Sequence, residues 1–178
     1  MTAIDPAISK QLSDALAVGP TALFGVLSQL FTSVPGVRTV TFIATAPDKT
    51  VTHRIGTSNP AHFPVGNVDK VGDDPWNNAI LRDRKPVIGN SVEGMGKFLP
   101  ETAGLVAMGY TACSCFPIVI AGETRGVVAL LGDAGTFTPS ALAEIDTLLP
   151  IAALTFTFHG ISKLTQGINE LTQGISAR

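Results

Sequence analysis

The chain has 178 residues, of which 45% are hydrophobic and 15% are charged, and its net charge is −2. This length suits one domain with a substantial core, and the composition is typical of a folded chain. The charge excludes a strongly basic surface, so we expect no nucleic-acid partner. The N-terminal residues lack a secretory signal pattern, and the sequence shows no obvious membrane span. We therefore expect a cytoplasmic protein without a membrane partner.

Two helices are predicted before the first strand. Asp5 and Pro6 are a typical N-cap and first helical residue, which predicts an N-terminal helix within residues 1–20. Residues 21–34 then carry an apolar stripe at helical spacing, which we expect to face a core. The stripe consists of Leu23, Phe24, Leu27, Leu30 and Phe31.

The middle of the chain alternates between short elements and loops. Residues 37–45 and 50–56 are β-branched and predict a hairpin, followed by a long Gly- and Pro-rich loop over residues 57–73. Asp74 and Pro75 begin a short helix that ends before Pro86, and one short strand follows it. Residues 90–100 predict a second irregular loop, and residues 101–109 predict a helix that Gly109 ends.

The last third of the chain predicts two central strands and a long helix. Residues 113–120 and 126–132 are apolar runs joined by a short turn, which is typical of neighbouring strands buried on both faces. Thr138 and Pro139 begin the final helix, in which Pro150 should cause a kink or a break.

Residues 159–178 contain a repeated Leu-Thr-Gln-Gly-Ile segment with apolar residues at heptad a and d positions. The pattern covers about two heptads and includes three glycines, so this helix needs a partner. We expect a homodimer through this segment rather than packing against the N-terminal helices. A purely structural dimerisation module remains an alternative. The apolar residues are Ile161, Leu164, Ile168, Leu171 and Ile175.

The order of these elements resembles the GAF domain. The likeness lies in residues 21–45, in the short helix, basic turn and strand of residues 76–91, and in the paired apolar strands of residues 113–132. It implies a GAF-like α+β domain over residues 21–158, with three layers. A central antiparallel sheet of about six strands would carry the terminal helices on one face. Loops and short helices would enclose a pocket on the other face.

The resemblance implies a small-molecule-binding sensor or regulatory protein, with a kinase or regulatory protein as a possible partner. The asparagine-lysine signature of cyclic-nucleotide-binding GAF domains is missing, and neither Cys113 nor Cys115 precedes a histidine, as in bilin attachment. We therefore expect no covalent chromophore. The histidines are scattered, so we expect no metal either, and the identity of any other cofactor or ligand is unknown.

The catalytic alternative is a thiol-dependent free methionine-(R)-sulfoxide reductase, a GAF-type enzyme that uses cysteines. Residues 90–100, where that family has its resolving cysteine, contain none. Cys113 and Cys115 could form their own redox couple, but i and i+2 on a strand lie about 6.5 to 7 Å apart, the upper limit for a disulfide. We lean against an enzyme, and these two cysteines are the catalytic candidates if chemistry occurs.

Seven residues are candidates for the pocket wall. Trp76 could stack on a ligand or plug the core, Tyr110 could present its hydroxyl or be buried, and the asparagines could bond a ligand or cap loops. Residues 90–98 could act as a lid. The cysteines would form the cavity wall or plain core. The candidates are Trp76, Asn77, Asn90, Met95, Tyr110, Cys113 and Cys115.

Overall fold

The structure, a computed structural model, describes residues 5–176, with side chains to residue 173. The helices are α1 (Pro6–Val18), α2 (Pro20–Ser33), α3 (Pro75–Asn77), α4 (Val92–Gly96), α5 (Thr102–Ala107) and α6 (Pro139–Ser176), and α3 continues as a π-helical turn, Asn78–Arg82. The strands are β1 (Val37–Thr45), β2 (Val51–Thr57), β3 (Val68–Lys70), β4 (Val87–Gly89), β5 (Ala112–Ile120) and β6 (Glu123–Gly132).

The strands form one six-stranded antiparallel sheet in the order β3-β2-β1-β6-β5-β4. The long strands β1 and β6 are the central pair, and β5 lies beside β6 in a hairpin that runs from Ala112 opposite Gly132 to Ile120 opposite Glu123. Most residues of β5 and β6 are buried on both sides of the sheet, as the two apolar runs predicted.

The long helices α2 and α6 cover one face of the sheet, and α1 packs on α2. The core between them is rich in phenylalanine. The Phe24 ring lies 4.8 Å from that of Phe42 and 5.5 Å from that of Phe156. Four residues of the predicted α2 stripe, Leu23, Phe24, Leu27 and Phe31, are buried, and the fifth, Leu30, is half-buried.

The short helices and the loop before β3 cover the opposite face with a second core. Met95 is fully buried there, because α4 approaches β4 very closely. A Cβ at Gly89 would lie 2.6 Å from the Met95 amide nitrogen, so only glycine allows this approach. The prediction of a three-layer α+β architecture is confirmed.

Two predicted loops contain short elements. β3 lies inside the loop predicted over residues 57–73, and α4 lies inside the one predicted over residues 90–100. All three residues of β3 are exposed, so no alternating pattern marks this edge strand. α4 is capped by Ser91, whose Oγ accepts a 3.1 Å hydrogen bond from the Gly94 amide. Five residues are too few to show helical periodicity.

The sequence predicted a kink or a break at Pro150, and α6 runs through this residue without a break. The proline is exposed, and Ile145 and Ala152 on either side of it are both 0% exposed. These contacts hold both halves of the helix on the sheet. Pro150 cannot donate a hydrogen bond to the Asp146 carbonyl, but Asp146 is exposed, so water can take the place of the missing donor.

The two sides of α6 differ in polarity and burial. Ile145, Ala152 and Phe156 face the sheet, whereas the heptad residues on the opposite side are exposed by 54 to 71%. These exposed residues are Ile161, Leu164, Ile168 and Leu171, and Leu154 extends the same stripe one heptad earlier. Neither α1 nor α2 covers them. The Ile175 side chain lies outside the described part of the chain.

Among the described residues, α6 is the one helix long and apolar enough to span a membrane, judged by length and composition alone. The sequence analysis overlooked this, because charged and polar residues interrupt its apolar runs. The apolar residues of its first half have a place in the domain core, since Ala141, Ile145, Ala152 and Phe156 are buried against the sheet.

Candidate functional site

A half-open cleft of about 530 Å³ lies on the sheet face opposite α6. We call it the Trp76 cleft. Its wall brings together β2, β3, α3, α5 and the loop before β3, with a floor from β1. The lining residues are Ile43, Thr52, Arg54, Phe63, Asn67, Asp69, Lys70, Asp74, Trp76, Asn77, Leu99, Pro100, Glu101, Gly104, Leu105 and Met108.

The apolar wall of the Trp76 cleft is continuous with the second core. Trp76 is half-buried and packs against that core, so it both fills the interior and lines the cleft. Phe63 and Leu105 are buried on neighbouring segments of the wall. An aromatic and aliphatic wall of this kind suits the apolar body of a small molecule.

Arg54 is the main cationic group of the wall. One of its terminal nitrogens donates a 3.2 Å hydrogen bond to the Pro64 carbonyl, and the guanidinium lies 5.5 Å from the centre of the Phe63 ring. Its Nε is buried and has no hydrogen-bond partner among the described residues. Burial lowers the pKa of Arg54, against the opposing effect of Asp69, although a guanidinium stays charged at any physiological pH.

Acidic side chains also reach the Trp76 cleft. Asp74 is engaged locally, because its carboxylate accepts a 2.9 Å hydrogen bond from the Asn77 amide and a second one from the Asn77 side chain. Asp69 and Glu101 are exposed. The cleft therefore offers both charge signs beside an apolar wall, which suits a small polar or zwitterionic molecule.

Two of the seven predicted site residues, Trp76 and Asn77, line the cleft. Asn90 lies elsewhere, where its Oδ1 accepts a 2.9 Å hydrogen bond from the Phe137 amide and ties β4 to the segment before α6. Met95 of α4 is buried in the second core, because α4 packs closely against β4. The proposed lid over residues 90–98 thus contains the helix α4, and Met95 and Phe98 anchor this otherwise mostly exposed segment in the second core.

Tyr110, Cys113 and Cys115 lie in the second core and do not line the Trp76 cleft. The two sulfur atoms are 3.8 Å apart, and both residues are at most 2% exposed. The hydrogen bond to Cys115 and burial raise the pKa of the Cys113 thiol well above its usual range. This environment favours the unreactive thiol over the nucleophilic thiolate.

The sequence analysis missed Arg54, Phe63, Asp69, Glu101 and Leu105, which complete the wall. An arginine inside a half-buried strand was a usable signal for Arg54, because such a charge needs a partner. The others come from loops and from α5. Among the described residues, no group of three metal-ligating side chains exists, so the cleft offers no built metal site.

No protein-family model matches the sequence, and no curated protein sequence matches it. Solved structures with a similar fold are numerous, and several of them are GAF domains. The GAF domain of a two-component sensor histidine kinase from Bacillus halodurans matches with a TM-score of 0.65 and 11% identity, over 80% of this chain and 95% of that one.

The GAF domain of a phosphoenolpyruvate-protein phosphotransferase from Coxiella burnetii matches with a TM-score of 0.64 and 14% identity, over 90% of this chain and 95% of that one. Residues 122 to 287 of a methyl-accepting chemotaxis protein match with a TM-score of 0.64 and 18% identity, over 85% and 96%. At these identities the likeness concerns the fold, and the chain has the fold of a GAF domain.

Proposed function

We propose that this protein is a cytoplasmic sensor or regulatory protein of the GAF type that binds a small molecule in the Trp76 cleft. The observation that carries the proposal is the Arg54 guanidinium in a wall that also contains Trp76 and Phe63. A ligand oxygen would accept a hydrogen bond from this guanidinium, and the aromatic side chains would cover the ligand body.

The proposed output passes through a homodimer formed by the exposed heptad stripe of α6. The stripe would leave four or more large apolar side chains in water if the chain stayed a monomer. A kinase or another regulatory protein is the proposed partner downstream. Several similar structures belong to signalling proteins, a sensor histidine kinase and a chemotaxis protein among them, which supports this proposal by analogy.

A reductase function is the weaker candidate, and we do not propose it. Sulfoxide reduction needs an accessible thiolate, whereas Cys113 and Cys115 are buried and the pKa of Cys113 is raised. The purely structural dimerisation module would leave the Trp76 cleft without a ligand, so the same binding experiment distinguishes it from a sensor.

Native mass spectrometry of the freshly purified chain tests both parts of the proposal, because it reports the subunit number and any retained small molecule. A metabolite panel is then screened by melting temperature and by Trp76 fluorescence. A true ligand raises the melting temperature. When its concentration is a hundred times its dissociation constant, it increases the free energy of unfolding by about 2.7 kcal/mol.

Matched variants locate the binding site. Trp76→Ala should weaken binding of the hit, whereas Arg84→Ala, on the exposed turn after the π-helical segment and outside the cleft, should not. A hit that binds both variants equally, or a complete panel without a hit, would contradict the Trp76 cleft as the ligand site.

A further inference from the structure

A second cavity, of about 470 Å³, lies on the sheet face that carries α6, where this helix leaves the domain. We call it the α6 cavity. Its walls come from the ends of β1, β2, β5 and β6 and from residues 156–164 of α6. The apolar side chains of the wall are Ala44, Pro47, Ile120, Phe156, Ile161 and Leu164.

Four basic side chains line the same cavity. His53 comes from β2, Arg125 from β6, and His159 and Lys163 from α6. No carboxylate belongs to the described lining. Glu123 lies within electrostatic range of Arg125, but it forms an ion pair with Lys49 outside the cavity wall. The α6 cavity therefore concentrates positive charge next to an apolar surface.

The electrostatic environment of the imidazoles fits this picture. Burial lowers the pKa of both His53 and His159, and the charge of Lys163 lowers both further. Interaction with His53 lowers the pKa of His159 as well. No anionic group in the described chain offsets these effects, so the site favours an added negative charge.

Dimerisation through the heptad stripe does not account for these basic residues. His159 follows Ala152 by seven residues and Lys163 follows Phe156 by seven, so both lie on the side of α6 that faces the sheet. This side of α6 is apolar where it packs on the sheet, at Ala152 and Phe156, and becomes basic beyond the sheet, at His159 and Lys163. Most of the heptad stripe lies away from this side, and only its Ile161 and Leu164 also border the cavity.

We propose that the α6 cavity binds a small carboxylate with a short apolar chain. The carboxylate is held by the Lys163 ammonium and the two imidazoles, and Arg125 adds attraction from the rim. The apolar chain covers Phe156 and Ile120. This site is separate from the Trp76 cleft, which lies on the other face of the sheet, so the two can fail independently.

Isothermal titration calorimetry of the full chain at pH 7 tests the proposal with octanoate as the probe. Octan-1-ol removes the charge and keeps the chain, and inorganic phosphate keeps negative charge and removes the chain. We expect octanoate to bind at least tenfold more tightly than either. No octanoate binding would overturn the proposal, as would equal binding of octan-1-ol or of phosphate.

Paired variants place the probe in the α6 cavity. Lys163→Met removes the charge at an exposed position and should weaken octanoate binding by about tenfold, in line with the loss of a charged hydrogen bond. The matched control is Lys10→Met on α1, which should leave binding unchanged. Equal affinity of the Lys163 and Lys10 variants would overturn the assignment.

The pH dependence provides an independent readout. A bound carboxylate raises the pKa of His53 and His159 from their lowered values, so binding is coupled to proton uptake. Octanoate should therefore bind more tightly at pH 6 than at pH 8, by up to about tenfold per pH unit for each proton taken up. His53→Gln/His159→Gln should abolish this dependence. Affinity that is independent of pH in the unmodified chain would contradict the proposed ligand set.

Discussion

The hydroxyl oxygens of Thr39 and Tyr110 lie 2.7 Å apart, and the two residues are 1% and 4% exposed. Asn59 donates a 3.2 Å hydrogen bond to the same Tyr110 oxygen, and the Arg38 guanidinium lies 5.0 Å from the centre of the ring. The tyrosine thus connects β1, the loop after β2 and the segment before β5. Its hydroxyl is occupied within the fold rather than offered to a ligand.

Tyr110→Phe should lower the free energy of unfolding by about 1 to 2 kcal/mol, because the buried Thr39 hydroxyl loses its partner. Urea denaturation measures this loss. Adding Thr39→Val should cost less in the Tyr110→Phe background than in the unmodified chain. Because Tyr110 does not line the Trp76 cleft, a ligand of that cleft should bind the single variant normally. A selective loss of ligand binding with unchanged stability would contradict this role.

Gly126→Ala should destabilise the fold, because a Cβ on this β6 residue would overlap the Phe156 ring and crowd the Ile43 carbonyl. Overpacking of this kind typically costs about 1 to 3 kcal/mol. The matched control is Gly25→Ala on the exposed side of α2, where a Cβ meets nothing within 4 Å. It should stabilise the chain by up to about 1 kcal/mol. If both variants shift the melting temperature in the same direction, the close packing of Phe156 of α6 on Gly126 would be contradicted.

Leu164→Asp should convert the proposed dimer to a monomer, because a charge would have to be buried at a d position of the heptad stripe. Gln166→Asp, on the opposite side of α6, is the control and should leave the dimer intact. Removal of residues 160–178 should have the same effect as Leu164→Asp while leaving the sheet folded. Light scattering measures the mass, and an unchanged mass for Leu164→Asp would contradict dimerisation through this stripe.

The stability of the fold should decrease on acidification through the histidine range. The pKa of His53 and His159 is lowered in the folded state, so the unfolded chain takes up protons first as the pH falls below 6.5, the usual histidine value. The loss begins near that pH and levels off below the two lowered pKa values.

Urea denaturation between pH 8 and pH 5 measures this dependence. His53→Gln/His159→Gln should reduce the slope, whereas His62→Gln, which removes an imidazole from the exposed loop before β3, is the comparison. A slope that survives the double variant in full would assign the acid sensitivity to other groups.

The thiols of Cys113 and Cys115 should react slowly with a thiol reagent in native buffer and rapidly in denaturant, because both are buried and the pKa of Cys113 is raised. Replacing both with alanine should lower the free energy of unfolding by about 1 kcal/mol or more. It should leave ligand binding in the Trp76 cleft unchanged. Methionine sulfoxide turnover by the unmodified chain, lost in this variant, would instead revive the reductase hypothesis.

Strong periodicity made the long elements predictable from the sequence. The β5 and β6 runs and the α2 stripe have patterns that reflect burial, so their positions could be inferred without knowing their neighbours. β3 and α4 have no such pattern, since pairing with β2 and the close approach to Gly89 create them. Their stability depends on contacts that exist only in the folded chain.

The candidate site was harder to predict, because residues far apart in sequence form the Trp76 cleft. Trp76 and Asn77 were identified from their place at the start of a short helix. Arg54 and Glu101 meet only when β2 and α5 come to the same side of the sheet. Conversely, Tyr110, Cys113 and Cys115 were predicted for the pocket wall, but their side chains lie in the second core. Residue type alone does not determine which of these two places a side chain takes.

Because α6 is continuous across Pro150, a small tilt of the helix near the sheet is amplified at its far end. From Phe156, its last buried contact with the sheet, the helix continues for twenty residues to Ser176, or about 30 Å at the usual rise per residue. A tilt of about 5° at Phe156 would displace the far end by about 3 Å. In an assembly of two copies, a small tilt at the sheet would therefore become a larger change in the spacing of the two helix ends.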